Sequence, residues 1–302
     1  MKAIVIHQYG GPEELKFEDF PDPVVGTGQV LVRVAATSIN PVDIGRRSGR
    51  MKAMFPIKFP GVIGVDVAGT IVKLGADVHG LSVGDKVFAY ADKAYAELCA
   101  VPAATLAKIP AALDVIDAAA LPLVTTTGHV LIAQGTGIKA GQTVLITGAV
   151  GGVGRSAVYV AKQRGARVIA GVRKTQIEEA KKLGADQVVA IDDDAAVAKL
   201  PMVDAVADAV GGKTGAALLG KVGKGGVFAS ALGPPMNAKD YPGVRIAPIG
   251  AMPDAKVLLE MSRAVLDGKL VIPISLKLPL SKASDGHIAV QKGGIGKVLL
   301  TA

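Results

Sequence analysis

LITGAVGGVGRSAVYVAKQRGARVIAGVRK, residues 145–174, carries the pattern on which the fold of this chain turns. An apolar run from Leu145 meets a glycine-rich turn, then a segment of helical periodicity, then a second apolar run ending at Arg173 and Lys174. That order predicts a strand, a turn, a helix and a second, parallel strand, the unit on which doubly wound sheets are built. Within the turn, Ala149, Gly151 and Gly154 keep the spacing of G-x-G-x-x-G, with alanine in the leading place. Gly151 lets the backbone approach a pyrophosphate and Gly154 lets helix and strand pack closely. Gly152 and Val153 place the first helical N–H groups toward the negative charge. Alanine at 149 fits if its φ stays negative. The competing reading is a purely structural turn in a flavodoxin-like sheet.

The second strand selects the cofactor. In sheets that bind NAD, an acidic residue about 20 residues on holds the ribose 2′-hydroxyl. Arg173 and Lys174 stand there instead, and the nearest acids, Glu178 and Glu179, fall inside the next helix. A guanidinium grips a phosphate in fork geometry and an ammonium adds a point charge. The expected cofactor is NADPH, against the alternative of a solvated cation pair at a helix entrance. Lys181 is a third candidate cation. Asp192, Asp193 and Asp194 oppose a phosphate or cap the following helix, and the cap is the favoured reading.

Outward from this unit the alternation continues. QTVLIT, ARVIAGV, DQVVAI, VDAVADAV and GGVFASALG read as strands, and TQIEEAKKLGA and TGAALLGKVGK as helices between them. Near-continuous apolar runs are what strands buried on both faces require. Before Asp114 the texture differs: KAIVIHQ, QVLVRVAAT, VDVAGTIVKLG and DKVFAY are short β-branched runs punctuated by glycine, proline and aspartate. After Gly268, LVIPISLKLPL and GKVLLTA return to strand character. The fold class is α/β, a Rossmann doubly wound parallel sheet plus a discontinuous β-rich domain.

Bulk properties narrow the function. A chain of 302 residues, half of them apolar, has room for two cores. No charge-free apolar run reaches the roughly 20 residues of a spanning helix, and MKAIVIHQYGG reads as a strand rather than a leader. The single cysteine, Cys99, suits a reducing compartment, so a cytoplasmic location is expected. The net charge of +8 is dispersed, densest in RRSGRMK at Arg46–Lys52, and tryptophan is absent. That pattern argues against a nucleic-acid partner and leaves either an anionic ligand or an exposed basic loop.

Eight segments in order then carry a resemblance: ATSINPVDIGRRSG, FPGVIGVDVAGTIVKLGADV, GLSVGDKVFAY, YAEL, LPLVTTTG, GAVGGVG, DAVGG and GKVLL. With them the chain resembles, over nearly its whole length, the zinc-independent NADPH:quinone oxidoreductases of the medium-chain dehydrogenase/reductase superfamily. The resemblance implies a GroES-like catalytic domain over 1–117 and 269–302 and a Rossmann domain over 118–268. It also implies an active site in the cleft between them. A homodimer extending the cofactor-domain sheets near GVRIAPIG is expected.

The same resemblance implies the site residues. Asn40 aligns with the first zinc cysteine of metal-dependent relatives, Val65-Asp66 with their histidine-glutamate pair, and Leu123 with a later cysteine, so no zinc is expected. Asn40 and Asp43 line the cleft, or form only a turn and helix cap. Thr127 matches a threonine that orients the nicotinamide carboxamide, or is an ordinary helix residue. Gly211 and Gly233 border the cofactor, or only shape turns. Where related chains carry a tyrosine after the Asn-x-x-Asp segment, this chain has Gly45 and Arg46, and a cofactor-contacting tyrosine becomes Ile191. The reaction implied is hydride transfer from NADPH to a quinone, the alternatives being an enone or enal acceptor, or a non-catalytic NADPH sensor. Tyr90 and Tyr95 are candidate proton donors.

Overall fold

The computed structural model describes residues 1–294 and 296–302 and separates into two compact units. The first comprises Met1–Leu123, Pro253–Gly268 and Ile272–Ala302, and the second Val124–Met252 and Lys269–Val271. The helix Ala255–Leu266, inside the stretch expected to belong to the Rossmann domain, is grouped with the first unit because it packs on the short strand Ala107–Lys108.

The first unit is β-rich. Its larger sheet runs in the order Ile274–Pro279, Lys297–Thr301, Gln29–Ser38, Asp66–Leu74, Lys86–Tyr90, Ala107–Lys108, with Leu98–Pro102 also pairing Gln29–Ser38. A smaller sheet joins Lys16–Asp19, Lys2–Ile6 and Gly61–Val62. Strand alternation supplies two apolar clusters, one around Ile4, Ile63, Tyr95 and Val298, the other around Val32, Val67, Ile71 and Val101. The chain thus returns from the far end of the sequence to complete the sheet begun in its first third. Between the last two strands lies a helix, Ala283–Lys292, in the interval between the two runs read as strands. Its apolar positions are short and broken by Asp285 and Gly286, and only packing reveals its period.

The second unit is a parallel six-stranded sheet in the order Gln187–Ala190, Arg167–Val172, Thr143–Thr147, Val203–Asp208, Val222–Ser230, Arg245–Pro248. Its central strands are buried almost throughout, as their apolar runs require, and Leu145, Val206, Leu218 and Phe228 share one core. The strand order reverses between Thr143–Thr147 and Val203–Asp208, the crevice where such sheets take ligands. The last helix of the alternation stops at Leu219, and Val222, read as helical, pairs with Val203. One helical stretch, Val115–Thr136, is long and apolar enough to span a membrane, yet 72% of its most apolar window is buried inside the protein, as in a core helix.

Candidate active site

Strand register assembles a polar cluster in the first unit. Leu299 pairs with Ser38, and continuing that antiparallel register two residues brings Lys297 opposite Asn40. Ala36 pairs with Ala68, so two residues on Ser38 faces Asp66, which in turn pairs with Tyr90. Just past its strand, Asn40 caps the helix Pro41–Arg47, where proline at the first helical position needs no N–H partner. The backbone N–H of Asn40 donates to Asp43 Oδ2 at 2.9 Å, closing a capping box.

Asp66 is the hub. Its Oδ2 accepts from Ser38 Oγ and from Asn40 Nδ2 at 2.8 Å, and its Oδ1 from the Leu123 N–H at 2.8 Å. The buried Lys297 ammonium donates to Asn40 Oδ1 at 2.7 Å and lies 3.5 Å from Asp66 Oδ2. Asp43 is fully buried, and its Oδ1 has no hydrogen-bond partner among the described residues. Burial, then the adjacent Asp66 charge, push its carboxyl up to about 7, against the pull of the Asn40 N–H, Lys297 and Arg46.

A directed chain leads away from Asp43. Arg47 NH1 lies 3.3 Å from His287 Nδ1, and His287 Nε2 lies 3.2 Å from the Tyr95 hydroxyl. Arginine only donates, so Nδ1 accepts, the ring proton sits on Nε2, and Tyr95 oxygen receives it. The Tyr95 proton is then free to face Asp43. Burial and then Arg47 push His287 down to about 3, so the ring is neutral. Burial, then the Asp43 charge, hold the Tyr95 phenol well above its ordinary value. Arg46 donates to Asp92 at 2.7 Å and lies 6.0 Å from the centroid of the Phe55 ring. A cavity of about 590 Å³ opens beside Tyr90, lined also by Phe20, Val62, Leu98 and Pro102.

The second unit holds the other candidates. The helix Gly152–Gln163 begins at Gly151, and its first N–H groups are those left open at any helix start. A Cβ on Gly154 would lie 2.1 Å from Gly148 oxygen, so only glycine permits this helix to approach the strand turn. The left-handed residue is Gly148, at φ +61°, whereas Ala149 is not among the described non-glycine residues with positive φ, which explains why alanine is tolerated there. Thr127 is buried in the helix Pro122–Val130, and the neighbouring Gly128 brings that helix against Val153 and Ser156. Arg173 and Lys174 are exposed at the end of their strand, their backbone N–H groups held by Gln176 and Asp192 at 3.2 and 2.8 Å. Among the described residues neither side chain is paired, whereas Lys181 bonds Glu178 at 2.6 Å. Asp193 accepts from the N–H groups of Ala195 and Ala196, the cap read from the acidic run.

Sequence reasoning passed over Asp208. Buried at the switch point, it accepts from Thr147 Oγ1 at 2.8 Å, Ser230 Oγ at 3.0 Å, and the N–H groups of Val210 and Gly211 at 3.1 and 3.0 Å. It ties the ends of three strands together and sets the Gly211 turn, φ +70°, against which Leu232 of the Gly233 loop packs. Only its place in DAVGG marked it. Lys297 and His287 were equally unmarked, since nothing local shows that they are buried.

The residues do not fit zinc. The Asn40 NH2 group and the Leu123 N–H both donate toward Asp66, Val65 is apolar, and among the described residues no group of His, Cys, Asp or Glu is arranged to hold a metal.

The chain matches the model of the alcohol dehydrogenase GroES-like domain over residues 26–111 and that of the zinc-binding dehydrogenase over 152–259. The latter segment contains neither cysteine nor histidine. The chain is 30% identical to a chloroplast envelope quinone oxidoreductase homolog of Arabidopsis thaliana, covering 99% of this chain and 98% of that protein. It is 38% identical to a chloroplastic NADPH-dependent alkenal/one oxidoreductase of the same plant, over 64% of this chain and 52% of that protein, about half its length. The structure of the quinone oxidoreductase from Coxiella burnetii superposes with a TM-score of 0.90 at 31% identity, over 100% of this chain and 99% of that one.

Proposed function

Because the chain belongs to the quinone oxidoreductase group of the medium-chain dehydrogenase/reductase superfamily, we propose that it transfers a hydride from NADPH to a quinone. The observation that carries this reading is the glycine-rich helix start together with two exposed cations, Arg173 and Lys174, whose side chains are unpaired among the described residues. That combination suits a pyrophosphate and a 2′-phosphate together. NADPH, when bound, supplies the hydride.

The chain's own residues bind and orient. The turn of Ala149, Gly151, Gly152, Val153 and Gly154 holds the pyrophosphate, Arg173 and Lys174 the 2′-phosphate, and Gly211 and Gly233 border the cofactor. Thr127 orients the nicotinamide carboxamide. In the other unit Asn40 and Asp43 form the acceptor side, and Asp43, its carboxyl titrating near 7, stores the proton that the reduced quinone takes up. The reaction proceeds without zinc, a reading supported by the Asn40 NH2 group and the Leu123 N–H, which donate hydrogen bonds toward Asp66.

Reduction of an enone or enal is the second reading, favoured by the identity to the alkenal/one oxidoreductase. The outermost strand of the parallel sheet, Arg245–Pro248, has one free edge and supports pairing with a second copy into a homodimer. A soluble, cytoplasmic setting agrees with the one buried thiol, Cys99, which burial pushes up to about 12 and so keeps unreactive.

NADPH oxidation by the purified protein with a small para-quinone, run beside an enone, tests the acceptor. Faster turnover with the quinone is expected. A clear preference for the enone would exchange the two readings.

A further inference from the structure

Lys297 sits where no sequence motif assigned a function, at the start of the last strand, with only 8% of its side chain exposed. A buried ammonium costs several kcal/mol unless it is paired and hydrogen-bonded. Three oxygens surround it: Asn40 Oδ1 at 2.7 Å, Ile39 O at 3.5 Å and Asp66 Oδ2 at 3.5 Å. Asn40 and Asp66, together with Leu123, are the positions that align with metal-binding residues of the zinc-dependent relatives, and the fold brings all three together. The positive charge among them belongs to the chain itself.

We propose that Lys297 is the positioning cation of this site, holding the Asn40 amide in a single orientation across Asp66. This rests on the reading that places Asn40 on the acceptor side. The amide lies between an ammonium and a carboxylate. With Oδ1 on Lys297 and Nδ2 on Asp66, both contacts are charge-assisted hydrogen bonds. Flipped, the NH2 group would face the ammonium and the oxygen would face the carboxylate, losing both bonds and adding two repulsions. An ammonium has three donors and no acceptor, so the choice is forced by chemistry. Ser38 adds to the constraint, its carbonyl and hydroxyl oxygens each 3.3 Å from Asn40 Nδ2.

The register makes the arrangement specific to this strand pairing. Lys297 lies opposite Asn40 only because Leu299 pairs with Ser38. A slip of one residue would turn the side chain to the other face of the sheet. The terminal GKVLL segment thus closes the sheet and delivers a cation to the site.

The chain has only two asparagines, Asn40 and Asn237, so nitrogen-15 labelling of asparagine gives two side-chain amide signals, the second from an amide held by the Ala216 carbonyl at 3.0 Å. In the full-length wild-type protein the Asn40 amide protons should exchange with heavy water more than about tenfold slower than those of a free asparagine amide. Lys297→Met should abolish that protection and Lys297→Arg should retain most of it. Turnover should follow: kcat falls in Lys297→Met while KM for NADPH is unchanged, and Lys297→Arg recovers it.

Wild-type Asn40 exchanging as fast as a free asparagine amide would overturn the proposal even if no variant folds. So would protection that survives Lys297→Met. Lost protection with undiminished turnover would leave the positioning intact and instead remove Asn40 from the acceptor side.

Discussion

Asp208 and Asp43 are both buried carboxyls, each among the candidate site residues of its own unit, yet their surroundings differ. Asp208 receives four hydrogen bonds from hydroxyls and backbone N–H groups, spread over both oxygens. Asp43 receives one backbone hydrogen bond, from the Asn40 N–H, and its second oxygen has no hydrogen-bond partner among the described residues. Neutral donors that converge on a carboxylate make it a fixed part of the framework. Asp43 lacks them, and burial and the Asp66 charge push its carboxyl up to about 7. The first knots strands together at the switch point, and the second is poised to exchange a proton.

The contrast is broken most severely at Asp208. Asp208→Ala strands two hydroxyls and two N–H groups in the interior and should lower unfolding stability by about 3–5 kcal/mol, measured by urea denaturation. A loss below about 1 kcal/mol would mean the knot is not structural. Next in size, Arg173→Gly should weaken NADPH binding by about 1–3 kcal/mol and leave NADH binding nearly unchanged in calorimetric titrations. Equal losses for both cofactors would remove Arg173 from the 2′-phosphate.

Asp43 gives a smaller effect with a definite sign. Its folded carboxyl titrates at about 7, above its ordinary value of 3.8. Between those limits the native state holds a proton that the unfolded chain has released. Stability should therefore fall as pH rises from about 4 to 7, then level off. Asp43→Asn should flatten that decline in urea unfolding at pH 5, 6 and 7, whereas an unchanged slope would place its origin elsewhere. Smallest of all, a chelator should leave turnover unaltered and metal analysis should find no stoichiometric zinc. One zinc per chain would contradict the donor set around Asp66.

The two regions also differ in how far the sequence revealed them. The parallel sheet and its glycine turn were legible because their causes are local: apolar runs for strands buried on both faces, and a Gly154 on which a Cβ would strike Gly148. The residue that tolerates the left-handed turn, Gly148, stood one place ahead of the expected fingerprint. In the first unit the strands were legible but their partners were not. Lys297 meets Asn40 across 257 residues of chain, and His287 reaches Tyr95 across 192. Pairings of that range are fixed by register and packing, which single-residue patterns do not encode. The helix that carries His287 was hidden for the same reason: its period is weak and its burial comes from the sheet it covers.

The most direct test of the account is the ratio of kcat/KM for NADPH and NADH in the reduction of a small para-quinone by the purified chain. The account predicts rapid turnover with NADPH and a strong preference for it over NADH. Absence of turnover with either cofactor, or a preference for NADH, would contradict it.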